Sequence, residues 1–276
     1  MPTTWLITGS SSGFGRLLTE QLLARGDRVA ATLRRPEALD GLRAEHGDRL
    51  WTARLDVTHA GQARQVMAAA FAALDHIDVI VSNAGYGVLA SVEEAADEQI
   101  RRVIDTNLLG SINVIRAALP HLRAQGHGRI LQISAAGGQA AYPHFAFYIA
   151  SKWGIEGFCE TAAREVAPFG IGLTIVEPGA TPTGFGRAVD TAPAMPEYDG
   201  TPAGEVRRAI ASGAFTFPSD PAKIAAAMIE LVDSGAKPLR LTLGSDAYDD
   251  VHASLTARLA ELESQREAAF SVQEKG

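Results

Sequence analysis

The chain has 276 residues, 46% of them hydrophobic, and a net charge of −7. That length fits one large α/β domain or two small ones, and the acidic balance disfavours nucleic acid as a partner. No apolar run reaches the roughly 18 residues of a membrane span, and the single cysteine, Cys159, excludes an internal disulfide or a thiolate metal cluster.

Strand one is predicted over residues 4–8, after a start that enters Trp5-Leu6-Ile7 at once, with no basic region or cleavage site ahead of it. We therefore expect no signal peptide and a cytoplasmic protein. The strand runs straight into Thr8-Gly9-Ser10-Ser11-Ser12-Gly13-Phe14-Gly15, and a helix is predicted over 13–25. The glycines permit a tight turn and close backbone approach, and the helix start offers free N–H groups to a diphosphate, so this segment reads as dinucleotide-binding. Strand two, 28–33, ends in Arg34-Arg35. An acidic residue there would bind ribose hydroxyls; Leu33 stands in that place, and the arginines suit the 2′-phosphate of NADP(H), with NAD(H) the lesser reading.

Further strands are predicted over 50–55, 79–82, 129–134, 172–177 and 239–243, separated by helical patterns over 59–74, 97–123, 147–166 and 221–234. The acidic run Glu93-Glu94…Asp97-Glu98 reads as a solvated helix start. This alternation argues for an α/β, Rossmann-like, doubly wound parallel β-sheet of about seven strands flanked by helices. No linker divides residues 1–276, which we read as one domain. Residues 179–220, rich in proline and glycine, read as a substrate lid whose Phe185, Met195, Tyr198, Phe215 and Phe217 suggest an apolar pocket. A C-terminal helix is expected over 246–268, with Val251, Leu255, Leu259 and Leu262 packed on the domain or on a neighbouring subunit.

Within the helix predicted from 147 stand Tyr148 and Lys152, four apart and hence on one face. An ammonium beside a phenol favours phenolate and pulls the phenol pKa down from about 10. A phenol tuned in this way exchanges a proton with a carbonyl or alcohol oxygen. Trp153, Phe158 and Cys159 on the same helix read as core or subunit interface, and Ser151 as packing. His144 is expected in a loop or at the surface, and none of the seven histidines shows metal-ligand spacing, so we expect no metal.

With these motifs in order, the chain resembles the short-chain dehydrogenase/reductase family in its single-domain form over roughly residues 3–245, nearest the NADP-preferring steroid- and retinol-type members around 31–35 and 151–157. The resemblance implies a cofactor site built from Gly9, Ser11, Ser12, Gly13, Phe14, Gly15, Arg34 and Arg35, with Asp56 and Val57 at the adenine. It adds Asn83-Ala84-Gly85 along the cleft, Pro178 and Gly179 with Thr181 and Thr183 at the nicotinamide, and Tyr148 and Lys152 at the ribose. It also implies a mechanism. Hydride passes between nicotinamide and a hydrophobic ketone or aldehyde (or its alcohol), Tyr148 carries the proton, Lys152 lowers its pKa, and Asn107 holds a water that completes a proton relay. Homodimers or homotetramers are expected through the helices carrying Asn107 and Tyr148. No membrane or nucleic-acid partner is expected.

The family places a serine thirteen residues before the tyrosine, where it binds the substrate oxygen. Here that residue is Ala135, and the neighbouring Ser134 is expected to face the other way. The departure keeps an alternative open: an NADP(H)-binding sensor or scaffold with weakened or silent chemistry.

Overall fold

The runs richest in aliphatic residues form the centre of a parallel sheet. The computed structural model describes residues 2–183 and 189–273. Seven parallel strands stand in the order β3-β2-β1-β4-β6-β7-β9. They are β1 (Thr4–Thr8), β2 (Arg28–Leu33), β3 (Leu50–Arg54), β4 (Val79–Ser82), β6 (Gly128–Ile133), β7 (Ile171–Pro178) and β9 (Arg240–Leu243). Every residue of β1, β4, β6 and β7 is buried, as expected of strands covered on both faces, whereas the edge strand β9 is half-buried throughout.

Two helical layers cover the sheet. On one face α3 (Ala60–Leu74), α5 (Gly110–Gln125) and α6 (Ala146–Val166) bury Met67, Ile115, Ile155 and Cys159 against Leu6, Ile80 and Ile130. On the other, α1 (Gly13–Ala24) and α8 (Pro221–Asp233) bury Leu18, Leu22, Ile224 and Met228 against Ile7, Val81 and Val176. The strand order reverses between β1 and β4. The crevice at the carboxyl ends of these strands is where such sheets bind ligands.

Three parts of the chain depart from the sequence reading. The helix expected over 97–123 is two helices, α4 (Asp97–Ile104) and α5, joined by a π-helical turn over Asp105–Leu109. The extra residue of such a turn re-aims side chains and is common at functional sites. A short helix, α2 (Asp40–His46), follows β2, and the two-residue strands β5 (Val88–Leu89) and β8 (Asp190–Thr191) pair in parallel. The segment read as a lid contains α7 (Pro202–Ala211), which Thr201 caps, as Asp220 caps α8. The C-terminal helix divides at Gln265 into α9 (Ser245–Ser264) and α10 (Arg266–Ser271), and Leu255, Leu259 and Leu262 are exposed while Val251 is buried. No helix among the described residues is long and apolar enough to cross a membrane.

Candidate active site

The turn after β1 has the geometry a diphosphate requires. Gly9 and Gly13 have φ of +72° and +56°, a region that side chains rarely adopt. A Cβ on Gly15 would lie 2.5 Å from the Gly9 carbonyl, so only glycine lets α1 start this close to the turn. Ser12 occupies the N-cap position of α1 without making a side-chain cap, and no acidic residue stands in the first turn, which leaves the helix-start N–H groups open to an anion. Ser11 and Ser12 are exposed, as are Arg34 and Arg35 at the end of β2. Phe14 packs inward against the core. This cradle fits a dinucleotide.

Thr8 and Asn83 lock the crevice at the strand reversal. The Thr8 hydroxyl accepts the N–H groups of Asn83 and Ala84 at 2.9 and 3.1 Å, and Asn83 Nδ2 donates to the Thr8 carbonyl at 2.8 Å. A Cβ on Gly85 would meet Asn107 Oδ1 at 3.1 Å. Asp56 accepts from the Thr58 N–H and hydroxyl. Burial would raise its pKa, but those bonds, His59 and Arg34 hold it below the usual carboxylate range. Val57 packs on Gly110 at the start of α5 and its carbonyl accepts from Asn113.

The π-helical turn aims Asn107 at α6. Its Oδ1 accepts from the Tyr86 N–H at 3.0 Å, and its Nδ2 donates to the Tyr86 carbonyl at 2.8 Å and to Ser151 Oγ at 3.2 Å. Ser151 in turn donates to the Tyr148 carbonyl at 2.6 Å. Ser151 is fully buried, as the packing reading expects, and its hydroxyl also joins Asn107 to the turn of α6 that carries Tyr148 and Lys152.

Tyr148 and Lys152 share a face of α6, with the ammonium 5.5 Å from the centre of the phenol ring. Lys152 Nζ donates to the Ile133 carbonyl at 3.0 Å, at the end of β6. Burial lowers the Lys152 pKa to about 8, opposed by the Glu156 carboxylate, and burial raises that of Tyr148. Burial thus drives the phenol pKa in the direction opposite to the one expected from the spacing.

Ser134 faces away from the cleft, as expected. Its hydroxyl donates to Glu156 Oε1 at 2.6 Å and the residue is 3% exposed, while the adjoining Ala135 is extended and partly exposed. Glu156 also meets Glu177, at the end of β7, and Arg240 Nε lies 3.4 Å from Glu156 and 3.2 Å from Glu177. Nothing in the sequence pattern paired these two glutamates.

After β7 the chain turns at Pro178 and Gly179. The Thr181 hydroxyl donates to the Gly179 carbonyl at 2.9 Å, and Thr183 lies over Gly13, where a Cβ would sit 3.5 Å from the threonine Cβ. The loop thus reaches back across the glycine turn. Phe185 lies outside the described residues.

Residues 195–207 are fastened through Glu94, which the sequence pattern places in solvent. Glu94 is not a solvated helix start. Its side chain is 1% exposed and accepts from the N–H groups of Ser91 and Met195 at 2.6 and 2.9 Å and from Arg207 at 2.7 Å. Tyr198 donates to Glu93, and Gln99 and Arg102 hold Asp190. Phe215 and Phe217 meet edge-on, and Phe217 is 51% exposed. His144 is buried rather than superficial, with φ of +72°, and its ring nitrogen Nδ1 lies 3.8 Å from Glu94. Burial lowers its pKa, opposed by Glu94 and reinforced by Arg207.

A family model described as short chain dehydrogenase matches residues 3–194. The oxidoreductase BOA17 of Botryotinia fuckeliana is 35% identical over 250 residues, covering 90% of this chain and 91% of that protein. The crystal structure of a short-chain dehydrogenase from Streptomyces avermitilis superposes with a TM-score of 0.91 at 39% identity, covering 99% of this chain and 98% of that one. The closed form of serine dehydrogenase complexed with NADP+ superposes with a TM-score of 0.74 at 26% identity, covering 87% of this chain and 94% of that one.

Proposed function

From the premise that this chain belongs to the short-chain dehydrogenase/reductase family and is an oxidoreductase with a nicotinamide cofactor, we propose that it interconverts a hydrophobic ketone or aldehyde and its alcohol with NADP(H). The observation that carries this reading is the convergence of the glycine turn, the Asn107–Ser151 link and the Tyr148/Lys152 face at one end of the sheet. Exposed Arg34 and Arg35 at the end of β2 support NADP(H) over NAD(H), since a guanidinium suits a 2′-phosphate. The likeness to steroid- and retinol-type members and the apolar lid residues support a bulky apolar substrate.

When bound, the cofactor supplies or removes the hydride at the substrate carbon. Tyr148 gives the phenolic proton to the oxygen in reduction and takes it back in oxidation. Lys152, charged below about pH 8, stabilises the phenolate as it forms. Asn107 and Ser151 hold the helix turn bearing both groups against the 83–86 segment. Ala135 supplies no hydroxyl, so Tyr148 orients the substrate oxygen as well as protonating it. The sensor reading that Ala135 raised finds no support in the comparisons. We read the chain as one cytoplasmic domain that forms a homodimer or homotetramer, with 179–220 as its lid; exposed Leu109 and Trp153 on the helices around the site favour that assembly.

Purified protein mixed with NADPH and a panel of ketones and aldehydes tests the assignment. We expect consumption of NADPH in preference to NADH and its loss in Tyr148→Phe. Ala135→Ser restores a donor to the substrate oxygen and is expected to raise kcat/KM by about tenfold or more, toward the ~10²–10³ such a donor is worth. Turnover unaffected by Tyr148→Phe would sink the proposed mechanism.

A further inference from the structure

Helix α9 lies beyond the stretch the family model matches. Its side chains nevertheless reach the active-site loops at every fourth position. Asp246 Oδ2 accepts from the Ala180 N–H at 2.6 Å. Asp250 Oδ2 accepts from the Tyr142 hydroxyl at 2.7 Å. Ser254 Oγ donates to the Gln139 carbonyl at 2.6 Å. The Arg258 guanidinium lies 4.9 Å from the centre of the Trp153 ring, on α6. A spacing of four keeps these groups on one helix face, and Ala247 and Val251 pack beside them against Ala136 and Tyr142. One rigid element therefore ties the turn after β7 to the 135–145 segment that leads from β6 into Tyr148.

The contact at Asp246 is closely fitted. A Cβ on Gly179 would sit 2.2 Å from Oδ1, and one on Gly244 2.6 Å from it, so the carboxylate is seated where only glycine backbone leaves room. Gly179 N–H donates to the Leu243 carbonyl at 2.9 Å. The β9–α9 junction thus grips two successive N–H groups of this turn, those of Gly179 and Ala180.

We propose that Asp246 is a positioning residue for the nicotinamide: it fixes Gly179 and Ala180, and through them Thr181 and Thr183, relative to the segment carrying Ala135 and Tyr148. The proposal rests on the reading that the 178–183 loop holds the nicotinamide. Hydride transfer tolerates little misalignment, and a misplacement near 1 Å costs about 10² in rate. With no hydroxyl at position 135 to orient the substrate oxygen, alignment depends on how rigidly these two loops face each other. The bond to a charged acceptor is the stronger kind.

Calorimetric titration of the full chain with NADPH, without substrate, tests this. Asp246→Ala is expected to weaken NADPH binding about tenfold, the loss of one charge-assisted hydrogen bond. Asp246→Asn keeps an acceptor and is expected to bind within about threefold of wild type. Tyr142→Phe is expected to leave NADPH affinity within about twofold and to lower kcat, because its bond to α9 serves the other loop. Amide hydrogen exchange at Ala180 is a second readout that needs no alanine variant. In Asp246→Asn it should be several-fold faster than in wild type, and an unchanged rate there would overturn the proposal. Asp246→Ala binding NADPH as wild type does, or Asp246→Asn as weakly as Asp246→Ala, would also overturn it while leaving the function standing. A wild-type chain binding neither NADPH nor NADH would remove both readings together.

Discussion

Two glutamates, Glu94 and Glu156, have side chains 1% and 3% exposed, yet their surroundings drive them in opposite directions. For both, burial is the largest influence and disfavours the carboxylate. At Glu94 the N–H groups of Met195 and Ser91 and the Arg207 guanidinium overcome it and hold the pKa at about 2. At Glu156 the Ser134 hydroxyl and Arg240 oppose burial, but Glu177 adds a second carboxylate, and the pKa rises to about 7. Arg240 is divided among Glu156, Glu160 and Glu177, so neither buried carboxylate has a cation to itself. Burial sets only the penalty, and the number of donors aimed at the oxygens decides the charge. The outcome suits each place. A charged group ties residues 195–207 to the 91–94 turn, and a carboxyl whose pKa is pushed up to about 7 sits one helical turn from Lys152.

Removing the fixed charge should have the larger effect. Glu94→Ala leaves two N–H groups unsatisfied and Arg207 with Asp199 alone, so we expect a destabilisation of about 2–4 kcal/mol in urea unfolding. The Michaelis constant for a bulky carbonyl should rise with it, since residues 195–207 lose their tie. A loss below about 1 kcal/mol would erase the contrast between the two sites. The acid limb sharpens it. The folded pKa of Glu94 is depressed, so its contribution is fully present above the unfolded value of about 4.3 and is lost as pH falls through about 2. Wild type should therefore lose stability toward Glu94→Gln between pH 4.5 and 2, and curves that stay parallel there would show that the donors do not hold the charge.

The contrast also marks where the sequence ceased to be informative. The central strands, the glycine turn and the Tyr148/Lys152 face were legible because each is local: a buried apolar run, glycines at a strand end, a spacing of four. Ser134 turning from the cleft was legible too, because neighbours on extended chain face opposite ways. Glu94 is not legible in the sequence because two of its three donors, Met195 and Arg207, lie over a hundred positions away. The π-helical turn that aims Asn107 left no signature in the helical pattern, since one extra residue shifts the period without breaking it. Asp246 leaves no signal in the sequence because its partner is a backbone N–H, and side-chain patterns carry no trace of backbone partners.

The smaller effect belongs to Glu156. Its folded pKa is raised above the unfolded value of about 4.3, so its contribution to stability is fully present below that value and fades as pH rises through about 7. Glu156→Gln keeps an acceptor for Ser134 and removes the titration. Relative to the variant, wild type should lose on the order of 1–3 kcal/mol between pH 4.5 and 8, the reverse of the slope at Glu94. Urea midpoints at pH 5 and pH 8 for the two chains measure it, and equal differences at both pH values would show that the two carboxylates do not share a proton. Under the proposed mechanism, the pH–rate profile reports the same charge. Glu156 supports the Lys152 ammonium against the burial that lowers it. Glu156→Gln should therefore let Lys152 lose its proton at lower pH and draw in the alkaline limb of the reductive pH–rate profile, with the thermal stability at pH 5 little changed. A limb that stays in place would confine Glu156 to the underside of the loop, with no influence on the helix face that carries Tyr148.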